Sequence, residues 1–405
     1  MPRTPARARI SRRTLLEATA TARPPAAGAA GAAAATFTAL KTPDTPSGRR
    51  AGRTPRLATA GLLTLATTAA LAGAGTAQRA AATPQALPAG CSGTSAITCH
   101  YDVAPGNYDV TVSIGGAAAG QTGMWAESRR LMLPATSTAA GAVATYAFTI
   151  NVRRPEGQPT GQGGTGNPGL DLRFTGSGAQ VSAVSVKPAA QPLVAYLAGD
   201  STVCDQPAAP YTGWGQMITS SVRPGATIAN YGDSGESSGS FVSNSALLPA
   251  LLAKVKANDP VFIQFGHNDK QTSASAYRNN LTTMISRVRG KGGVPVLVTP
   301  PVRRLFDGNR LTSTALHVNG VGVDLPAEMR AVGAAQRVPV IDLTARSKGL
   351  VESLGPSASA QLFLRSSVDG VTDNTHFSQY GATRMGGLLL QAVREQNLPL
   401  AAHLR

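Results

Sequence analysis

Leu193-Val194-Ala195-Tyr196-Leu197-Ala198-Gly199-Asp200-Ser201-Thr202-Val203 is the stretch that decides how this chain is read. A short apolar run, long enough for a buried strand, stops at Gly-Asp-Ser and so places a hydroxyl at the strand's tip. Gly-Asp-Ser alone also makes ordinary turns. Its weight comes from three later segments: Ser234-Gly235-Glu236-Ser237, Phe265-Gly266-His267-Asn268-Asp269 and Asp373-Asn374-Thr375-His376-Phe377. A hydroxyl, a backbone donor, a side-chain amide and an acid–base pair, in one chain order, ask for attack on an ester carbonyl.

Outward from this stretch, apolar strands alternate with helix-like segments. Strands are predicted at Val194–Leu197, Thr227–Asn230, Val261–Phe265, Val294–Val298 and Val338–Ile341. Helices are predicted near Gly215–Ser220, Ser243–Ala257, Ser273–Arg289, Pro326–Ala335 and Gln379–Glu395. That alternation implies a parallel sheet covered by helices on both faces, whose ligands bind at the carboxyl ends of the strands. Gly199, Asn230, Gly266 and Pro300 follow successive strands, so the chemically interesting residues converge on one edge.

Before Pro188 the period changes to two. Tyr108–Ile114, Thr145–Val152, Leu170–Phe174 and Val181–Val186 alternate apolar with polar, which reads as an antiparallel sandwich. Glu156–Asn167, rich in Gly, Gln and Thr, is a long loop inside it. The domain expectation is a β-sandwich over residues 88–188, a candidate carbohydrate-binding module, followed by an α/β domain over residues 192–402.

The formal charge of +16 resembles a nucleic-acid signature, but residues 1–56 hold eleven Arg and Lys against Glu17 and Asp44 alone. A basic head without interleaved aromatics is more simply a targeting region, and no nucleic-acid partner is expected. The uncharged segment Leu57–Ala77 follows Arg49, Arg50, Arg53 and Arg56 and leads into small residues, the parts of a secretory signal. Its length just reaches a membrane span, but its many Thr and Gly make it a poor anchor. Ser11-Arg12-Arg13-Thr14-Leu15-Leu16 resembles a twin-arginine export motif without a close apolar segment. Residues 1–80 are thus expected to be disordered and removed on export, leaving no stable membrane association. Of three cysteines, Cys91 and Cys99 are expected to bridge in an oxidising compartment, with Cys204 left as a small buried thiol.

In the site, Ser201 is the candidate nucleophile and needs an adjacent base. His376 is the best of the five histidines: His100 lies in the β module, His317 in a polar insert, His403 far along the chain, and His267 in the Gly-x-Asn-Asp loop as a site neighbour. Asp373, three residues earlier, can hold the tautomer whose Nε2 takes the serine proton, although it could equally cap the helix expected near Phe377. The Gly235 N–H, the Asn268 amide and the Ser201 N–H are candidate oxyanion donors. Arg303 and Arg304, after the strand Val294–Val298, are expected with His267 on the substrate side, where an arginine fork suits a sugar carboxylate.

Gly199-Asp-Ser201, Gly235, Gly266-His-Asn268-Asp and Asp373-x-x-His376 resemble the four blocks of the SGNH (GDSL) hydrolases. The wider strings Gly199–Gln206, Trp214-Gly-Gln216, Phe265–Lys270, Val298–Arg304 and Asp373–Phe377 resemble that superfamily's rhamnogalacturonan acetylesterase branch. The resemblance spans roughly Leu193 to Leu400. It implies a three-layer α/β/α, flavodoxin-like hydrolase domain, and deacetylation of a pectic polysaccharide without metal or cofactor; a monomer is expected. It also assigns Ser201, Asp373 and His376 as the triad and Ser201, Gly235 and Asn268 as the oxyanion hole. Glu236 departs from members that carry a basic residue there, which leaves the sugar open. Two rivals stand beside this reading. A lipid esterase would need an apolar groove, whereas the flanking loops Asp205-Gln206, Glu236-Ser-Ser and Lys270-Gln-Thr are polar. A non-catalytic sugar-binding protein would have no need of all five site residues.

Overall fold

Residues 86–405 are described by the computed structural model; the basic head and the apolar segment Leu57–Ala77 lie outside them. The first part is built from β1 (Cys91–Ser92), β2 (Ile97–Tyr101), β3 (Gly106–Gly115), β4 (Gly120–Ala126), β5 (Arg130–Thr138), β6 (Val143–Val152), β7 (Leu170–Thr175) and β8 (Val181–Pro188). They form two antiparallel sheets, in the orders β1-β2-β7-β4-β5 and β6-β3-β8. Alternation decides which faces meet: Val110, Val112 and Ile114 of β3 point inward with Phe148 and Ile150 of β6, onto Met124, Leu170, Leu172 and Phe174 of the other sheet. Cys91 and Cys99 face each other across β1 and β2 and are joined by a disulfide. Strands β4 and β5 escape the sequence pattern because their pairing is broken by bulges around Thr122, Met124 and Trp125, which disrupt the period of two.

The second part begins with β9 (Leu193–Gly199), then α1 (Trp214–Met217), β10 (Ala226–Asn230), α2 (Ser238–Ser243), α3 (Leu248–Leu252), β11 (Pro260–Gln264), α4 (Ala274–Arg289) and β12 (Val294–Val298). A small hairpin, β13 (Phe306–Asp307) and β14 (Arg310–Leu311), precedes α5 (Leu325–Gln336), β15 (Val340–Ile341) and α6 (Leu343–Ala358). The chain finishes with β16 (Phe363–Leu364), α7 (Ser366–Asp369), β17 (Asp373–Phe377) and α8 (Gln379–Glu395). The main sheet is parallel, in the order β10-β9-β11-β12-β15.

This sheet is buried on both faces. Ala195 and Leu197 pack with Trp214, Met217, Val351, Met385 and Leu389 of α1, α6 and α8. The alternate residues Val194, Tyr196 and Ala198 pack with Phe241, Leu248, Tyr277, Leu281 and Met329 of α2 to α5. The result is a three-layer α/β/α sandwich. The chain leaves β9 for β10 on one side and returns to β11 on the other, so β9 and β11 flank the switch point where open α/β sheets bind ligands.

The helix expected at Ser243–Ala257 is reduced to the short α3, and α2 ends where it was to begin. Asn244 and Leu247 leave helical geometry between α2 and α3, and Pro249 sits at the start of α3. Helix α6 has no counterpart among the expected helices. Gly349 and the pair Gly355-Pro356 weaken its pattern, and Gly355, at φ 69°, marks a kink within it. Among the described residues, no helix is long and apolar enough to cross a membrane.

Candidate active site

Strand β9 ends at Gly199, where a Cβ would sit 2.5 Å from Val203 Cγ2; only glycine lets the chain turn this tightly. Asp200, wholly buried, holds the turn by accepting from the Thr202 N–H (2.9 Å) and Thr202 Oγ1 (2.7 Å). Burial alone would raise the Asp200 pKa, but His267 and the Thr202 bonds outweigh it and keep the carboxyl below its ordinary value. Ser201 thereby stands at the strand's tip, 8% exposed.

Ser201 Oγ lies 2.8 Å from His376 Nε2, and His376 Nδ1 lies 2.6 Å from Asp373 Oδ2. Asp373 does not cap the following helix: Ser378 caps α8, accepting from the Gly381 N–H, while Asp373 begins the short strand β17. Its other oxygen accepts from the N–H groups of Thr375 (2.7 Å) and His376 (3.0 Å), so one carboxylate fixes both the turn and the ring. Partial burial pushes that carboxyl up, but these three donors pull it well below the usual range. The ring edge of Tyr211 packs against His376, centroids 5.3 Å apart.

Gly235, at φ 83°, follows β10 in a loop where a Cβ would meet nothing within 4 Å. Among the described residues, neither the Gly235 N–H nor the Ser201 N–H has a hydrogen-bond partner, so both remain able to donate. Asn268 Nδ2 donates to the Glu236 carbonyl at 3.1 Å, which ties the loop after β11 to the Gly235 loop and leaves a second amide hydrogen. Asp269 strengthens that tie by accepting from Ser238 Oγ at 2.5 Å and from the Ser238 N–H. Burial raises the pKa of Glu236, and its Oε2 has no partner among the described residues.

The three substrate-side candidates are placed differently from expectation. His267 is 2% exposed, with Nδ1 3.2 Å from Asp200 Oδ2 and its ring edge-on to His317. Burial lowers its pKa against the pull of Asp200, so the neutral ring donates Nδ1–H to a carboxylate. It braces the nucleophile turn and is closed to solvent. Arg303 donates to the His267 carbonyl at 2.8 Å and to Thr375 Oγ1, stitching the loop after β11 to the loop bearing His376. Arg304 donates to the Pro356 carbonyl at the kink of α6. Both guanidinium groups donate to the protein's own loops, and half-exposed Arg303 also lines a cavity with His267, Lys270 and Leu305. Asp205 and Gln206, read as a polar surface loop, are buried at 0% and 8% exposure.

The sequence reading missed the residues that hold this framework. Gln206 Nε2 donates to the Ser201 carbonyl at 2.9 Å, and Trp214 Nε1 donates to Gln264, which donates in turn to Thr202 Oγ1. Tyr211 carries no motif signal at all. A nucleophile paired to an oriented imidazole, beside unengaged donors, is equipped for acyl transfer to water.

The comparisons agree. A family model described as "GDSL-like Lipase/Acylhydrolase family" matches residues 197–384. The chain is 37% identical over 227 residues to the rhamnogalacturonan acetylesterase RhgT of Bacillus subtilis, covering 53% of this chain and 95% of the relative. It is 31% identical to the probable rhamnogalacturonan acetylesterase YesY of the same organism, covering 51% and 94%. A crystal structure of the B. subtilis protein YxiM, 22% identical, aligns with a TM-score of 0.45 over 75% of this chain and 81% of that one. With the fold, the site and a relative matched over nearly its whole length, the chain belongs to the GDSL (SGNH) acylhydrolase family and is a carboxylic ester hydrolase.

Proposed function

We propose that the protein is an exported serine esterase that removes O-acetyl groups from a pectic polysaccharide of the rhamnogalacturonan type. The observation that carries the mechanism is the continuous relay from Asp373 through His376 to Ser201 Oγ. Ser201 Oγ attacks the acetyl carbonyl while His376 Nε2 takes its proton. The oxyanion that forms accepts from the N–H groups of Ser201 and Gly235 and from the Asn268 amide. His376 then returns the proton to the departing sugar oxygen, leaving acetyl-Ser201. Water, activated by the same imidazole, releases acetate and restores the serine.

The substrate class is supported by two relatives that bear the name rhamnogalacturonan acetylesterase and are matched along 95% and 94% of their lengths. Export is supported by the Cys91–Cys99 disulfide and by the basic and apolar leader read in the sequence.

Acetate release from acetylated rhamnogalacturonan, homogalacturonan and xylan, beside short- and long-chain aryl esters, tests the reading. Rhamnogalacturonan should be preferred, and Ser201→Ala should lose on the order of a million-fold in kcat on every substrate. Preference for the long-chain ester would replace the glycan reading with a lipid one. A tenth of wild-type activity in Ser201→Ala would remove the serine from the mechanism.

A further inference from the structure

Two loops that meet at Ser201 are gripped from the β-sandwich side. In the loop bearing Gly235, the Ser234 N–H donates to Gln158 Oε1 at 2.6 Å. Gln162 Nε2 donates to Asp233 Oδ1 (2.9 Å) and to the Ser234 carbonyl (2.8 Å), while the Thr160 N–H reaches Asp233 Oδ2 (2.8 Å). These partners all come from Glu156–Asn167, whose composition is too polar to dock by apolar burial. Gly235 itself has no side chain to anchor it, so the position of its N–H is inherited from Asp233 and Ser234.

In the nucleophile loop, the grip is electrostatic. Asp205, four residues after Ser201, is fully buried, and its cationic partners are Arg130 (Nε, 2.7 Å) and Arg153 (Nη2, 3.5 Å), both from the sandwich. Arg130 is itself 1% exposed. A carboxylate with no access to water needs an opposite charge, and nothing nearby in the α/β part supplies one. The next residue, Gln206, carries the bond to the Ser201 carbonyl, and its own carbonyl accepts from Gln216 and from Arg129. Arg129 also donates to the Tyr211 carbonyl at 2.7 Å, behind the ring that packs on His376.

We propose that the β-sandwich is a built-in part of the esterase site, with Gln158, Gln162 and Arg130 as positioning residues for the oxyanion donors and the nucleophile. The inference rests on the assignment of Ser201 and Gly235 above. It gives the sandwich a role in the rate of the chemical step, independent of any glycan the sandwich binds.

The test uses the full chain and a serine-directed aryl phosphonate, whose anionic oxygen occupies the oxyanion position once bonded to Ser201. Labelling amplitude counts folded sites, and labelling rate reads how well those sites stabilise the oxyanion. Gln158→Ala/Gln162→Ala should label to full amplitude about 10²-fold more slowly, with kcat for a neutral aryl acetate falling in parallel and KM within about twofold. Gln162 is exposed, so Gln162→Ala alone keeps the fold even if the double variant does not; it should show roughly a tenfold loss of the same kind. Full amplitude at the wild-type rate in Gln162→Ala overturns the proposal, as does reduced amplitude at an unchanged rate, the mark of a merely structural role. Ser201→Ala is the separate control: if it still takes the label, the nucleophile assignment has failed, whatever the glutamines do.

Discussion

Asp373→Asn isolates what the carboxylate does for the imidazole. Asp373 offers two oxygens to three donors: Oδ1 to the Thr375 and His376 N–H groups, and Oδ2 to His376 Nδ1. Asparagine has one oxygen. Turned to keep both backbone bonds, it presents its NH₂ to Nδ1, which must then accept, so the ring proton moves to Nε2 and the nitrogen facing Ser201 can no longer take a proton. Turned the other way, it sets NH₂ against two backbone N–H groups, at about 1–3 kcal/mol for each bond lost. Moving the ring proton is the smaller change, so the variant should fold normally and hold the wrong tautomer. In a comparable triad that error costs about 10⁴ in kcat, equivalent to about 5 kcal/mol of transition-state stabilisation. The assay is initial rate on a short-chain aryl acetate, with nitrogen NMR of His376 to report which ring atom carries the proton. Activity within tenfold of wild type, or a ring still protonated at Nδ1, would refute the reasoning.

Asn268→Ala should cost ~10²–10³ in kcat with little change in KM, since its amide is most needed when the carbonyl oxygen becomes negative; a loss confined to KM would make it a substrate contact instead. Glu127 should make stability depend on pH, because burial pushes its carboxyl up to about 8 while the unfolded chain releases that proton near 4.5. The folded state holds the proton more tightly, so this contribution is complete below the unfolded value and is lost as pH rises through about 8. Glu127→Gln keeps the acceptor for the Asp171 N–H but cannot ionise, so its unfolding midpoint should gain on wild type between about pH 5 and 8.5. A difference that stays flat across that range would contradict the assignment.

The sheet was legible because it is buried on both faces: continuous runs such as Val294–Val298 leave little else for those residues to form. Edges were less so. Val338 and Pro339 read as strand but precede β15, and α6 was hidden by its glycines although Asp342 caps it by accepting from the Ala345 N–H. Within the site, Ser201 stood out at the end of an apolar run, and Asp373 with His376 as an acid three residues before a histidine. What joins them was invisible. Arg130 and Asp205 are 75 positions apart, and Arg130 sits in no motif. Arg303 and Arg304 follow β12 at the carboxyl edge of the sheet, but no sequence pattern shows whether a side chain there faces outward or folds back against the protein's own loops.

Cys204 bears on how the chain keeps its one disulfide intact. An unpaired thiol in a chain that also carries a disulfide is ordinarily a source of scrambling, because its thiolate can attack the bridge and form mixed or intermolecular species. Here the thiol is buried, pinned between the Ser201 carbonyl and Ser234 Oγ. Burial also pushes its pKa well above the ordinary value, and nearby Asp205, Asp233 and Asp200 push it further. The attacking species is therefore almost absent and has no path to Cys91–Cys99. An odd cysteine three residues from the nucleophile is thus kept chemically silent, and exchange with the Cys91–Cys99 bridge is suppressed without a second bridge to consume it.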